Sequence, residues 1–227
     1  RGTGSGTHTE VLNSTPTVLT GDLTINSNCI LDTGSDRALT VTGDTLINGG
    51  TLTCNASAIT LGSGRLVGSY GLTVSSGTFT GGTGTHIIGS FSLTGGTATF
   101  TSGNTTLDGK NSSSGANFLQ NGGTFNHGSG TIINAYTGQD SLIALWADIT
   151  FNNYTLNISN ARTLQVYNLS RRTITIAGDL LMTTGTFNTS YTTHAHTDLT
   201  VTGNVTINDD ALIAYSASLG TGDQSTI

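Results

Sequence analysis

One recurring phrase limits what this chain can fold into: Leu199-Thr200-Val201-Thr202-Gly203-Asn204-Val205-Thr206-Ile207-Asn208. Apolar and hydroxyl side chains alternate on both sides of a Gly-Asn pair, the signature of strand, tight corner, strand. The phrase returns as Leu39-Thr40-Val41-Thr42-Gly43-Asp44, as Ile174-Thr175-Ile176-Ala177-Gly178-Asp179, and as Leu19-Thr20-Gly21-Asp22-Leu23-Thr24-Ile25-Asn26. A second phrase interleaves with it: Gly77-Thr78-Phe79, Gly123-Thr124-Phe125-Asn126 and Gly185-Thr186-Phe187-Asn188, with Gly96-Thr97-Ala98-Thr99-Phe100 a looser copy. From Gly21 to Gly43 the step is 22 residues and from Gly178 to Gly203 it is 25, within the range of stacked repeats. Short strands between such corners at that period predict an all-β fold, a β-solenoid of roughly 20–25 residues per coil with two or three faces, rather than a hairpin meander.

In such a coil the inward positions carry Leu, Val, Ile or Phe, stacked on their equivalents about 4.8 Å away in the next coil. Outward positions need only suit the pleat and face water, which threonine does through its branched carbon and its hydroxyl. Glycine is expected at corners for its access to positive φ, and Asn or Asp for side-chain bonds to backbone amides. The alternation is weak before Val18, so residues 1–18 read as a polar N-terminal arm or cap and 19–227 as the solenoid. Insertions are expected near 104–117, which holds Asn111-Ser-Ser-Ser-Gly115, near 135–148, and near 188–197. Arg1-Gly-Thr-Gly-Ser-Gly is neither an initiator methionine nor a signal peptide, so the chain reads as a processed product or a section of something longer.

Composition narrows the function classes. Only 9% of residues are charged, against about 25% in a usual globular domain, so the surface is made of neutral hydroxyls and amides. So much glycine and serine would ordinarily mean disorder, but the β-branched alternation and a single proline, Pro16, argue against it. The net charge is −6 and Lys110 is the only lysine, which leaves no basic stripe for nucleic acid. No apolar run approaches the ~20 residues of a membrane helix. No cofactor motif is present.

Candidate site residues are few. Cys29 and Cys54 lie about one repeat apart and could form a disulfide or stacked thiols in adjacent rungs, or be small buried core residues. His194 and His196, two apart on a strand, would face the same side and could share a metal ion, although two ligands fall short of an ordinary site. The longest apolar run surrounds the only tryptophan. There Tyr136, Leu145 and Trp146 belong to a lateral contact surface, a short helix or a thicker part of the core.

Glycan cleavage needs paired carboxylates. Glu10 is the only glutamate, Asp22, Asp44, Asp179 and Asp223 all follow glycine in the corner phrase, and Asp209-Asp210 would point to opposite faces of a strand. Thr-x-Thr pairs such as Thr40/Thr42 and Thr200/Thr202 suggest an ice-binding array, but alternation alone produces them. Sequons at Asn55, Asn157 and Asn204 are expected in a chain this rich in Asn, Ser and Thr.

The stretches 122–131, 149–158 and 176–188 resemble the Thr/Gly-rich β-solenoid repeats of tailed-phage structural proteins, and those of bacterial surface adhesins and autotransporter-like passengers. The His-x-His pair is similar to a motif of phage fibre and spike tips, where a trimer gathers histidines around iron. The resemblance implies a non-enzymatic structural protein of an extracellular assembly at a virion or cell surface: a phage appendage, fibre or capsid decoration that self-associates as a trimer or filament, contacts other virion or surface proteins, and meets host-surface glycans. A bacterial adhesin or extracellular filament subunit is the alternative. It brings no catalytic residues and no cofactor.

Overall fold

The computed structural model describes residues 6–13, 16–67, 70–189 and 196–214, and every regular element among them is a strand. The chain runs through His8–Val11, Thr17–Leu19 and Leu23–Asn26, then begins again one layer on with Cys29–Asp32, Leu39–Val41 and the first half of Thr45–Thr53. Each strand pairs in parallel with its counterpart in the next layer, as in Thr17↔Leu39 and Leu23↔Thr45. Among the described residues nine such rungs, about eight full turns, stack into a three-faced β-solenoid. The first face begins at His8–Val11, the second at Thr17–Leu19 and the third at Leu23–Asn26.

The solenoid therefore starts about ten residues earlier than the sequence predicted, because the His8–Val11 strand pairs in register with Cys29–Asp32. As an outermost strand it buries neither side, so it carries no alternation to read. The expected insertion at 135–148 is also a rung, since Ser141–Leu145 pairs on both sides, with Ala116–Gln120 and with Thr163–Asn168. At 104–117 the ends belong to rungs and only the middle leaves the wall. There Lys110↔Leu66 and Asn111↔Val67 pair directly. Asp108 helps to join the two excursions, accepting from Ser63 Oγ at 2.5 Å and from the Gly64 N–H at 2.9 Å. Most of the third expected insertion, 190–195, lies outside the described residues. Rung steps run from 19 residues, His86 to Thr105, to 27, Ile59 to His86. The corners absorb the difference.

Inward side chains form columns. On the second face Leu39 and Val41 stack under Ile59 and Leu61, and farther along Tyr154 and Leu156 stack under Leu180 and Met182, all essentially without solvent exposure. Phe79, Phe91, Phe100, Phe118, Phe125 and Phe151 fill the middle of the tube, with neighbouring ring centroids 4.9–6.4 Å apart. Each such side chain contributes about 1.5–3 kcal/mol of burial.

The Gly-Asp corners work differently from the sequence expectation. Their glycines do not need positive φ; they need to have no side chain. A Cβ on Gly203 would lie 2.5 Å from Asp179 Oδ1 and 2.6 Å from the Gly178 carbonyl oxygen, and one on Gly43 would fall on Asp22 and Gly21. That space holds a ladder in which each Asx carboxyl or amide oxygen accepts the backbone N–H of its successor one rung on: Asp22 from Asp44 at 2.9 Å, Asn153 from Asp179 at 2.9 Å, Asp179 from Asn204 at 2.8 Å. In the Gly-Thr-Phe corners the glycine does adopt positive φ, +84° at Gly77 and +64° at Gly123.

The two phrases change faces along the chain. Leu39–Val41 occupies the second face and turns at Gly43-Asp44 onto the third, whereas Arg172–Ile176 and Thr197–Val201 occupy the first face and turn at Gly178-Asp179 and Gly203-Asn204 onto the second. The Gly-Thr-Phe phrase moves in step, with Phe79 and Phe125 on the first face and Phe187 on the third. The repeat frame slips by one face between the sixth and seventh rungs. On the second and third faces the neighbours still match, Ile132 on Tyr154 and Ile143 on Val166.

On the first face they do not. Thr124–Asn126 turns one side chain inward, Phe125, while Ile149–Phe151 turns in two, Ile149 and Phe151. No ladder pairing joins these two strands. The first-face ladder is split there, and its last three strands form a sheet of their own.

Gly43→Ala should destabilise the chain by about 1–3 kcal/mol through overpacking against the preceding rung. Gly21→Ala, the same phrase with nothing within 4 Å of the added Cβ, should change stability by less than about 0.5 kcal/mol. Chemical denaturation of the two variants checks this, and equal losses would contradict the stacking account.

Candidate functional site

The expected site residues scatter over the solenoid. His194 lies outside the described residues. His196 is buried where the last first-face strand begins, and its carbonyl accepts from Arg172 N–H at 3.3 Å and Asn168 Nδ2 at 3.4 Å. Among the described residues no three His, Cys, Asp or Glu side chains converge.

Cys29 and Cys54 are both free and do not stack. The register sets Asp32 against Thr53, so Cys54 lies at the level of Thr33, four positions beyond Cys29. That is about 13 Å along the strand direction, past the ~7 Å limit on Cα separation for a disulfide. Cys54 is fully buried, and burial, with the Asp32 charge adding to it, pushes its thiol well above the usual range.

The acids serve the frame. Asp22 and Asp179 hold the corner ladder, Asp140 Oδ1 accepts the Thr163 N–H at 2.9 Å, and Asp148 Oδ1 accepts the Thr173 N–H at 2.9 Å. Asp44 pairs with Arg65 at 3.0 Å and Asp198 with Arg171 at 2.7 Å, while the exposed Glu10 lies 2.7 Å from His8. Asp209 and Asp210 are exposed corner residues, and Asp223 lies outside the described residues.

Of the three residues considered as a contact surface, Leu145 is fully buried in the core and Tyr136 nearly so, its ring lying against the Gly138 corner. Trp146 alone remains partly exposed. It sits one residue past the end of Ser141–Leu145, and its backbone N–H donates to the Gln120 carbonyl at 2.9 Å, which holds the corner against the rung before. Its ring meets that of Tyr167 at 6.0 Å and 46°. The register aligns Leu119, Ala144 and Tyr167 in one column on the third face, with Leu142 beside them. Together with Ser114 they line a groove of about 310 Å³. Elsewhere the outward positions of the strands are mostly Thr, Ser or Asn. The groove therefore offers apolar and aromatic faces with hydroxyls at its rim. It spans the fifth to seventh rungs, at the slip of the repeat frame.

His86, which stands in no motif, is the most perturbed imidazole among the described residues. It replaces an aliphatic residue in the second-face column between Ile59 and Thr105, is fully buried, and stands edge-on to Phe79 at 5.9 Å. Burial lowers its pKa to about 4, against a smaller opposing influence from the Gly81 backbone. The signal available in the sequence was its place in His86-Ile87-Ile88, where alternation demands an inward residue.

No protein-family model, curated protein or solved structure matches the chain.

As the pH falls, the unfolded chain takes up a proton at His86 near the ordinary value of 6.5, before the folded chain does near 4. Stability present above pH 6.5 should therefore decline between those values, by up to about 3 kcal/mol. His86→Leu should remove that component, so its denaturation midpoint should depend less on pH in this window than the parent's. Identical pH slopes would contradict the assignment.

Proposed function

We propose that this chain is a non-enzymatic structural solenoid of an extracellular assembly, a phage virion appendage, fibre or capsid decoration, which joins its neighbours through its ends and meets surface glycans at the Trp146 groove. The observation that carries the reading is that, among the described residues, five of the seven exposed large apolar side chains gather in the two end rungs, the other two being Leu169 and Leu181 in the body. Val11 and Val18 in the first rung are 56% and 53% exposed, and Val205, Ile207 and Leu212 in the last are 44%, 47% and 56% exposed. The outer edges of these rungs have no partner strand among the described residues. Unpaired edges carrying apolar side chains are surfaces that proteins cap or join.

Other features fit this role. A neutral wall with few lysines and arginines presents little to trypsin-like proteases, and carboxylates engaged in corner bonds stabilise the tube. Glycan contact draws support from the aromatic pair on an otherwise hydroxylated face, since sugar rings pack their C–H faces on aromatic side chains. The same groove favours a bacterial adhesin or filament subunit as the second reading.

Electron microscopy with mass measurement in solution tests the assembly. Trimers or filaments are expected, and Val205→Asp combined with Leu212→Asp should shift them toward monomer while preserving the β-sheet circular dichroism. A well-dispersed monomer of the parent chain would overturn self-association. On a glycan array, Trp146→Ala should lose about tenfold or more of any binding, as removal of a central aromatic anchor does. Unchanged binding would take the groove out of the reading.

A further inference from the structure

We propose that the break in the first face is a second binding site, a cleft that takes one neutral, hydroxyl-rich unit such as a single sugar ring between the sixth and seventh rungs. The cleft has a volume of about 460 Å³ and opens between Thr124–Asn126 and Ile149–Phe151. That lies within the range of about 300–1,000 Å³ usual for small-ligand sites. Its lining includes Gln120, Phe125, Asn126, His127, Asp148 and Thr150. Phe125 supplies an apolar floor, its ring fixed by Phe100 at 5.0 Å, Phe118 at 5.3 Å and Phe151 at 5.8 Å.

Two strand edges face each other across the gap. The Thr124 N–H donates to the Gly96 carbonyl and the Asn126 carbonyl accepts the Phe100 N–H, both at 2.9 Å, so these groups are spent on the preceding rung. Alternation then turns the N–H and C=O of Phe125 toward the cleft. On the other side the Phe151 carbonyl accepts the Ala177 N–H at 2.9 Å from the following rung, which turns the N–H and C=O of Thr150 toward the same space.

Gln120 adds an independent sign. It is only 6% exposed, it lines the cleft, and its Oε1 has no hydrogen-bond partner. Rotation of its terminal amide, a broad torsion, would offer that group to a ligand. The rim is completed by His127, whose Nδ1 accepts the Ser129 N–H at 2.9 Å and leaves Nε2 as the donor, and by Asp148, whose Oδ1 is held by Thr173 while Oδ2 is left to accept.

The same geometry excludes other occupants. A peptide strand cannot pass through, because the two rungs are tied at ordinary spacing on both flanks, by Trp146 N–H to the Gln120 carbonyl at 2.9 Å and by Asn153 N–H to the Gly130 carbonyl at 3.3 Å. An anion would meet Asp148 with no lysine or arginine in the lining, and a divalent cation would find one carboxylate already engaged. A ligand with several hydroxyls, each both donor and acceptor, satisfies amide, imidazole, carboxylate and the two backbone edges together. Its C–H face would lie on Phe125.

The inference holds whether or not the chain belongs to an assembly. Ligand-observed saturation-transfer NMR of the full chain with a panel of neutral methyl glycosides and alditols tests it. Transfer to the ring C–H protons of at least one glycoside is expected. Gln120→Met, which keeps the shape and removes the amide, should weaken binding about tenfold. Thr150→Trp, a change at an exposed residue that fills the cleft without touching the core, should abolish it, and Trp146→Ala should leave it unchanged. Absence of transfer with every sugar would overturn the proposal. So would binding that survives Thr150→Trp but is lost in Trp146→Ala, a result that would place the sugar in the third-face groove and leave the assembly reading standing.

Discussion

Everything in this molecule depends on one constraint: each strand must hydrogen-bond to its equivalent one turn away, at the ~4.8 Å spacing of a parallel ladder. That spacing decides which residues the corners can hold. A side chain on Gly43 or Gly203 would occupy the space of the glycine and Asx of the preceding rung. The asparagines and aspartates at these corners extend the backbone ladder into places where the chain turns and its own strand bonds stop. Asp179 shows this in both directions, donating its N–H to Asn153 and accepting from Asn204. The low charge follows as well, because like charges stacked one rung apart would repel along the whole column, whereas threonines do not.

The irregular surfaces gather where the ladder is interrupted. Between the sixth and seventh rungs one copy of the Gly-Thr-Phe phrase is skipped. Ile149–Phe151, a strand with two inward residues, then follows Thr124–Asn126, a strand with one. The second and third faces stay paired across the slip, whereas the first-face ladder is interrupted. The corner that crosses this point carries Trp146 on one side and Asp148 on the other. The aromatic groove and the polar cleft are therefore two consequences of a single shift of frame.

Much of this was legible in the residues. Period-2 alternation around Gly203-Asn204 places strands correctly on either side, and the coil length follows from the spacing of the phrases. What could not be read was the face on which each phrase sits. Phe125 and Phe187 occur in the same words, Gly-Thr-Phe-Asn, yet one belongs to the first face and the other to the third. A local phrase specifies a strand and a corner, but its face depends on how many strands precede it. Leu145 and Trp146 illustrate the same limit at the scale of one residue. They are adjacent and apolar, and only the register of Ser141–Leu145 against its neighbours decides that one fills the tube and the other borders a groove. The first strand was missed for the opposite reason: His8–Val11 is recognised by its partner, not by a buried side of its own.

The distribution of order bears on function. A tube whose body is paired on three faces resists local opening, since separating one rung from the next costs the ladder on every side. Such a body is a poor place for machinery that must move and a good one for holding fixed surfaces at set distances. Among the described residues, the strands of the tube are left unpaired in two kinds of place, the outer edges of the end rungs and the interrupted first face. The end edges are long, regular and accompanied by exposed apolar residues, which suits another regular rung. The interruption is short, closed at both flanks and lined by amide, imidazole and carboxylate, which suits a compact polar guest. Length and closure of the unpaired edge, more than residue type, separate a surface for assembly from a site for a small ligand.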